Sequence, residues 1–156
     1  MVDTDATMRP MTNHADSRIA LARDLFAAWS SGDPDAPQPF LAHDAVLYDI
    51  VGGEHRGWPA IREFFAAGVR MWPDLVLEPE QYWTSPDGVA LSWVMSATVS
   101  DASAARFGAD NVGRRWRSEG MTWLHVVDGT VAREVDYHDG GAPVRSLSTN
   151  APGASS

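Results

Sequence analysis

The chain of 156 residues has no cysteine. Disulfides, thiol nucleophiles and cysteine-ligated metals or iron–sulfur clusters are therefore excluded, and the redox compartment is left unread. Lysine is absent too: all 12 basic residues are arginine, which removes Schiff-base chemistry and any lysine-based phosphate loop. Positive charge is scarce, with a formal net charge of −9. Nucleic acid and anionic membrane are poor partners for such a surface, because phosphate binding depends on clustered cations that release counterions. No run approaches the roughly 20 apolar residues of a membrane span, and residues 1–16 lack an apolar stretch of signal-peptide length, so the expected location is the cytoplasm.

What remains is a globular composition, 44% hydrophobic with seven tryptophans. The length suits one hydrophobic core and is too short for two ordinary domains, so every catalytic group comes from one fold or from a dimer mate. Residues 1–15 and 146–156 are polar, without periodicity, and read as mobile arms around a domain spanning 16–145. Within it, Asp16 or Ser17 can cap a helix whose apolar positions Ile19, Ala22, Phe26 and Trp29 recur at helical spacing, with Gly32 as its left-handed stop. DPDAPQPFLAHD suits a turn or short helix, and AVLYDIV a strand. In GWPAIREFFAAGVRMW, Pro59 fits a first helical turn, and Ile61, Phe64, Phe65, Val69 and Trp72 form a stripe that should cover a sheet. Three or four long strands are then predicted, the candidates being Leu75–Trp83, Val89–Ser100, Arg114–Val127 and Val131–His138, with turns at Pro86-Asp87-Gly88 and Asp128-Gly129. Helices first and antiparallel strands afterwards mark an α+β layer.

Four stretches, LFAAWSSGD, HDAVLYDIVGGEHRGWPAIREFF, GRRWRSEGMTWLHVVDGTV and REVDYHD, resemble in order and spacing the nuclear transport factor 2-like superfamily, in particular its SnoaL-like polyketide cyclase and ketosteroid isomerase-like branch. The resemblance covers about Ser17 to Asp139. It implies a cone-shaped α+β barrel, a curved antiparallel sheet wrapped over N-terminal helices around an apolar pocket. Such folds host isomerases, cyclases, dehydratases, epoxide hydrolases and proteins without catalysis, so function has to come from the site.

Two carboxylates stand out. The resemblance puts Asp49, in LYDIVGG, where ketosteroid isomerase-like proteins carry their proton-shuttling acid; among apolar neighbours its pKa would rise toward that of a useful base. The alternative is an aspartate that ends a strand and bonds turn amides. Asp136 falls where SnoaL-like cyclases and limonene-epoxide-hydrolase-like enzymes carry a catalytic aspartate. Alternation places Glu134, Asp136 and His138 on one strand face, either lining the pocket or facing solvent, and His138 either orients a carboxylate or acts as an acid. Tyr48, Trp93, Trp116, Phe65 and Glu134 are the candidate substrate contacts.

Departures from the relatives remove some assignments. The oxyanion-hole positions of the ketosteroid isomerases match Leu25 and Thr122, and ALSWVMSATVS lacks the arginine and first aspartate of the epoxide hydrolases. The histidines show no HxxxH or HxH spacing, and Arg114, Arg115 and Arg117 read as a solvated cluster or a dimer seam, so no metal and no cofactor is expected. The leading expectation is an enzyme of isomerase, cyclase or lyase type, doing carboxylate acid–base chemistry on an apolar polyketide-, steroid- or terpenoid-like molecule, as a homodimer. The alternatives are epoxide opening and a small-ligand-binding module without catalysis.

Overall fold

The computed structural model describes residues 12–149; the outer parts of both expected arms, residues 1–11 and 150–156, lie outside the described residues. Helix α1 (Thr12–Trp29) starts ahead of the caps suggested by Asp16 and Ser17 and buries Ala22, Leu25, Phe26 and Trp29, one face at helical spacing. Its end is tied down by Ser30, whose Oγ accepts the amide of Leu77 at 2.9 Å. After a single 3₁₀ turn (Gln38–Phe40) come β1 (Leu41–Asp49) and a short strand, β2 (Gly53–Arg56). Helix α2 (Gly57–Met71) follows, its Ile61 and Phe65 buried as the stripe predicts.

The four long strands are β3 (Val76–Ser85), β4 (Gly88–Thr98), β5 (Arg115–Val127) and β6 (Thr130–His138), all close to their expected bounds. They join β1 and β2 in one six-stranded sheet of order β2-β1-β6-β5-β4-β3, curved but not closed. The expected antiparallel sheet is modified at one place, since β1 and β6 run parallel while the other neighbours are antiparallel. A parallel pair needs a long crossover between its strands, and here everything from β2 to β5 supplies it. Helix α1 packs over β3 and β4, and α2 over β1 and β2, so both cover the same concave face.

Between β4 and β5 the chain forms short turns around a four-residue helix, α3 (Ala104–Phe107). The segment after Gly141, expected as part of a mobile tail from residue 146, instead forms α4 (Ala142–Thr149) against β5. Leu147, 2% exposed, enters a second core cluster with Ala97, Val99, Phe107 and Trp116. Pro143 and Leu147 are buried one turn apart, but eight residues are too few to carry a periodic signal, so this helix is made by tertiary packing and not by propensity.

Candidate active site

A cavity of about 360 Å³ lies between the concave sheet face and helices α1 and α2. Its walls are apolar, built from Phe26, Trp29, Phe64, Phe65, Leu77 and Met95, with Trp72 and Trp116 among the aromatic lining. Volume and lining suit a small organic ligand. The polar groups gather on adjacent strands because of register. Asp49 of β1 pairs with Asp136 of β6, Asp136 with Thr122 of β5, and Thr122 with Leu91 of β4. Two residues further along β6, His138 pairs with Gly120, which pairs with Trp93. Side chains two apart share a face, so this one stretch of sheet collects Asp49, Glu134, Asp136, His138, Thr122 and Trp93 in the cavity.

Asp49 plays both parts that the sequence left open. Its Oδ1 accepts the turn amides of Val51 at 2.8 Å and Gly52 at 2.5 Å, and its Oδ2 lies 2.9 Å from His138 Nε2. Position 52 admits only glycine, since a Cβ there would sit 2.4 Å from the ring of Phe64. Burial pushes the Asp49 carboxyl up, but the His138 contact and the two amides outweigh it and hold the group below its usual range. The hydrogen bond to Asp49 raises the imidazole pKa of His138 against the opposing effect of burial. The two form an ion pair that is about one-eighth exposed, with side chains 13% and 11% accessible.

Asp136 behaves differently. Trp93 Nε1 donates to Thr122 Oγ1 at 2.8 Å, and Thr122 in turn donates to Asp136 Oδ1. A hydroxyl has one proton, so the indole donor fixes the direction of this chain toward the carboxylate. Asp136 keeps some accessible surface, but that surface is cavity wall and not bulk solvent. Desolvation raises its pKa to about 7, opposed by the Thr122 hydrogen bond and reinforced by the charge of Asp49. Glu134, 3% exposed, is pushed well above the usual carboxylate range by burial and by Asp136. The nearby indole of Trp29 favours its charged form but falls short of bonding geometry, so Glu134 Oε2 and Trp29 Nε1 have no partner among the described residues. The result is a pair, Asp49 and His138, in which each group favours the charged form of the other, one carboxyl poised near neutrality and one pushed by burial toward its neutral form.

Of the residues singled out from sequence, Asp49, Asp136, His138, Glu134, Trp93, Trp116 and Phe65 line this cavity. Tyr48 does not: it falls between Leu47 and Asp49, which both line the cavity, and so belongs to the other sheet face. The sequence reading missed Thr122 as a partner of Asp136, because only the β5–β6 register reveals it, and Arg106, which sits in a segment without periodicity. Among the described residues no group of three or more His, Asp or Glu side chains is placed to hold a metal ion.

With this geometry in view, comparison with known proteins is informative. The sequence family described as SnoaL-like domain matches residues 22–134. No curated protein matches the chain. Among solved structures, IdmH, a candidate polyketide cyclase from Streptomyces antibioticus, is similar over 84% of this chain and 98% of its own, with a TM-score of 0.72 and 19% identity. AclR, a candidate hydroxylase from Streptomyces galilaeus, is similar over 86% and 98%, with a TM-score of 0.69 and 25% identity. A protein with a ketosteroid isomerase-like fold from Catenulispora acidiphila, in complex with trimethylamine, is similar over 81% and 90%, with a TM-score of 0.70 and 17% identity. The likenesses carry the fold, and the family match carries the assignment: the chain belongs to the SnoaL-like domain family, within the nuclear transport factor 2-like superfamily.

Proposed function

We propose that the chain is a cofactor-independent enzyme of the isomerase or cyclase kind, which takes a proton from carbon next to a carbonyl of an apolar small molecule. The observation that carries this reading is a carboxyl at Asp136 with a pKa of about 7, in an apolar cavity, beside the Asp49–His138 ion pair. A base near neutrality is ionised often enough to accept a proton and acidic enough to return it. The proton moves from the α-carbon to Asp136. The enolate oxygen left behind is stabilised by the positive charge of His138, which Asp49 holds in place. Asp136 then gives the proton to another carbon of the same enolate, or to the oxygen formed when the enolate carbon attacks a second carbonyl of the same molecule. Atoms balance in both outcomes and no electron acceptor is involved. Asp136 and His138 act on the substrate in this reading, Asp49 positions His138, and the burial that pushes Glu134 toward its neutral form limits how much negative charge the floor gathers.

The test needs no knowledge of the natural substrate. 2-Tetralone, an apolar bicyclic ketone, exchanges its α-protons with D₂O, and the exchange is followed by NMR. The wild-type protein should accelerate it, and Asp136→Asn should reduce the acceleration by about 10²–10⁴-fold, the usual weight of general base catalysis. Equal acceleration by both proteins would remove Asp136 as the base, and no acceleration by the wild-type protein would make a ligand-binding role without catalysis the better reading.

A further inference from the structure

The cavity rim carries a cation with no counter-ion. The exposed lining residues, Val51, Gly52, Ala67 and Arg106, mark where the cavity opens. Arg106 is the one arginine among the described lining residues. Arg56, Arg62, Arg115, Arg117, Arg133 and Arg145 each face a carboxylate; Arg106, like Arg18, Arg23, Arg70 and Arg114, has no carboxylate partner among the described residues, and of these five it is the one that lines the cavity. Composition does not force this, since acids outnumber bases 21 to 12. Its guanidinium instead lies 5.5 Å from the Phe107 ring and 5.9 Å from the Trp72 ring, with Nη2 donating to the Gly140 carbonyl at 2.7 Å. Stacked arginine held by one carbonyl keeps most of its five N–H donors, in a fork that matches two anionic oxygens.

That fork stands close to the reacting groups. Gly140 packs against Val51, where an added Cβ would come within 3.0 Å of the side chain, and the Val51 amide is one of the two that hold Asp49. We infer that the molecule accepted by this cavity carries an anionic oxygen group, such as a carboxylate, docked on Arg106, with its apolar body laid against the tryptophan wall. The inference rests on reading the cavity as a substrate site, and it adds the class of substrate. The floor offers an anion little opposition: Asp49 is met by His138 at 2.9 Å, burial pushes Glu134 toward its neutral form, and Asp136 is only partly ionised at neutral pH. An anion on Arg106 also fixes which part of the ligand reaches Asp136, which an apolar wall alone cannot do.

Two probes of one shape and different charge test it, 2-naphthoate and 2-naphthamide, titrated calorimetrically at pH 7.5. The wild-type protein should bind the naphthoate about tenfold more tightly or better, the worth of a charge-assisted hydrogen bond. Arg106→Gln should bring the ratio of the two affinities to about one, and Arg106→Lys, which keeps the charge without the fork, should leave an intermediate ratio. The ratio cancels any general loosening of the cavity, and if the Gln variant does not fold, the Lys variant alone must show a severalfold drop. Naphthamide binding as tightly as naphthoate, or an unchanged ratio in the variants, overturns the inference while the apolar site stands. Failure of both probes to bind the wild-type protein removes the inference and the substrate-site reading together.

Discussion

Thr122 carries no charge and gives up no proton, yet its hydroxyl bears on which form of Asp136 prevails. Its hydrogen bond lowers the Asp136 pKa against a larger opposing effect of burial. Thr122→Val removes the donor and should move the midpoint of the exchange rate upward from about pH 7, so activity falls most near neutrality and recovers at higher pH. Thr122→Ser should restore the original profile, which a purely structural role would not require. Asp136 also makes a stability prediction of unusual sign. A carboxyl whose folded pKa is raised from 3.8 to about 7 contributes most below the unfolded value, and that contribution is lost as pH rises through the folded one. Asp136→Asn should therefore melt higher than wild type at pH 8 and nearly the same at pH 4. The gain is on the order of 1–3 kcal/mol once water in the cavity is allowed for, read as several degrees in Tm. The Asp49–His138 pair runs the other way: Asp49 stabilises above its unfolded pKa and ceases to as pH falls through its lowered folded value, and His138 ceases to as pH rises through its raised one.

The elements differ in how plainly the sequence announces them. Helix α2 and the strands from β3 to β6 repeat at their own periods for long enough to be read directly, and Pro86-Asp87-Gly88 and Asp128-Gly129 fall at the β3–β4 and β5–β6 turns. Strand β2 is four residues long and its side chains alternate between only partial burial and exposure, so it leaves no such trace. Helix α4 is legible only through what it covers. Leu147→Ala would open a void against Phe107 and Trp116, and should cost about 2–4 kcal/mol, measured by chemical denaturation. The arginine cluster is similarly divided by its surroundings: Arg114 bonds Asn111 and the Leu147 carbonyl across to α4, while Arg115 pairs with Asp74. For the site, chemical type was legible at Asp49, Asp136 and His138, but proximity was not, because the parallel β1–β6 register is invisible to alternation within either strand. Tyr48 is different: alternation within β1 alone puts it on the face opposite to its neighbour Asp49, so both cannot line the cavity.

At the scale of the molecule, the sheet buries one face under helices and leaves large apolar side chains exposed on the other. Trp83, Met121 and Tyr137, between 45% and 55% exposed, lie on strands β3, β5 and β6, with Met121 and Tyr137 directly paired. Sedimentation should find a homodimer through this outer face, and Met121→Arg with Tyr137→Arg should return it to monomers, because desolvating paired cations costs more than the apolar contact returns. The pairing of β1 with β6 has a different consequence, which concerns time. Asp49 and His138 are 89 residues apart in the chain, and the strands that bring them together are the first and last of the sheet. A chain emerging from the ribosome can fold α1 against early strands and close the β3–β4 and β4–β5 hairpins from local contacts, but β1 waits for β6 before it gains its inner neighbour. The same pairing brings Asp49 beside Asp136, where its charge adds to the burial that raises the Asp136 pKa, and beside His138, whose pKa its hydrogen bond raises. On the proposed reading, reactivity is therefore withheld from every shorter nascent chain until the last strand arrives.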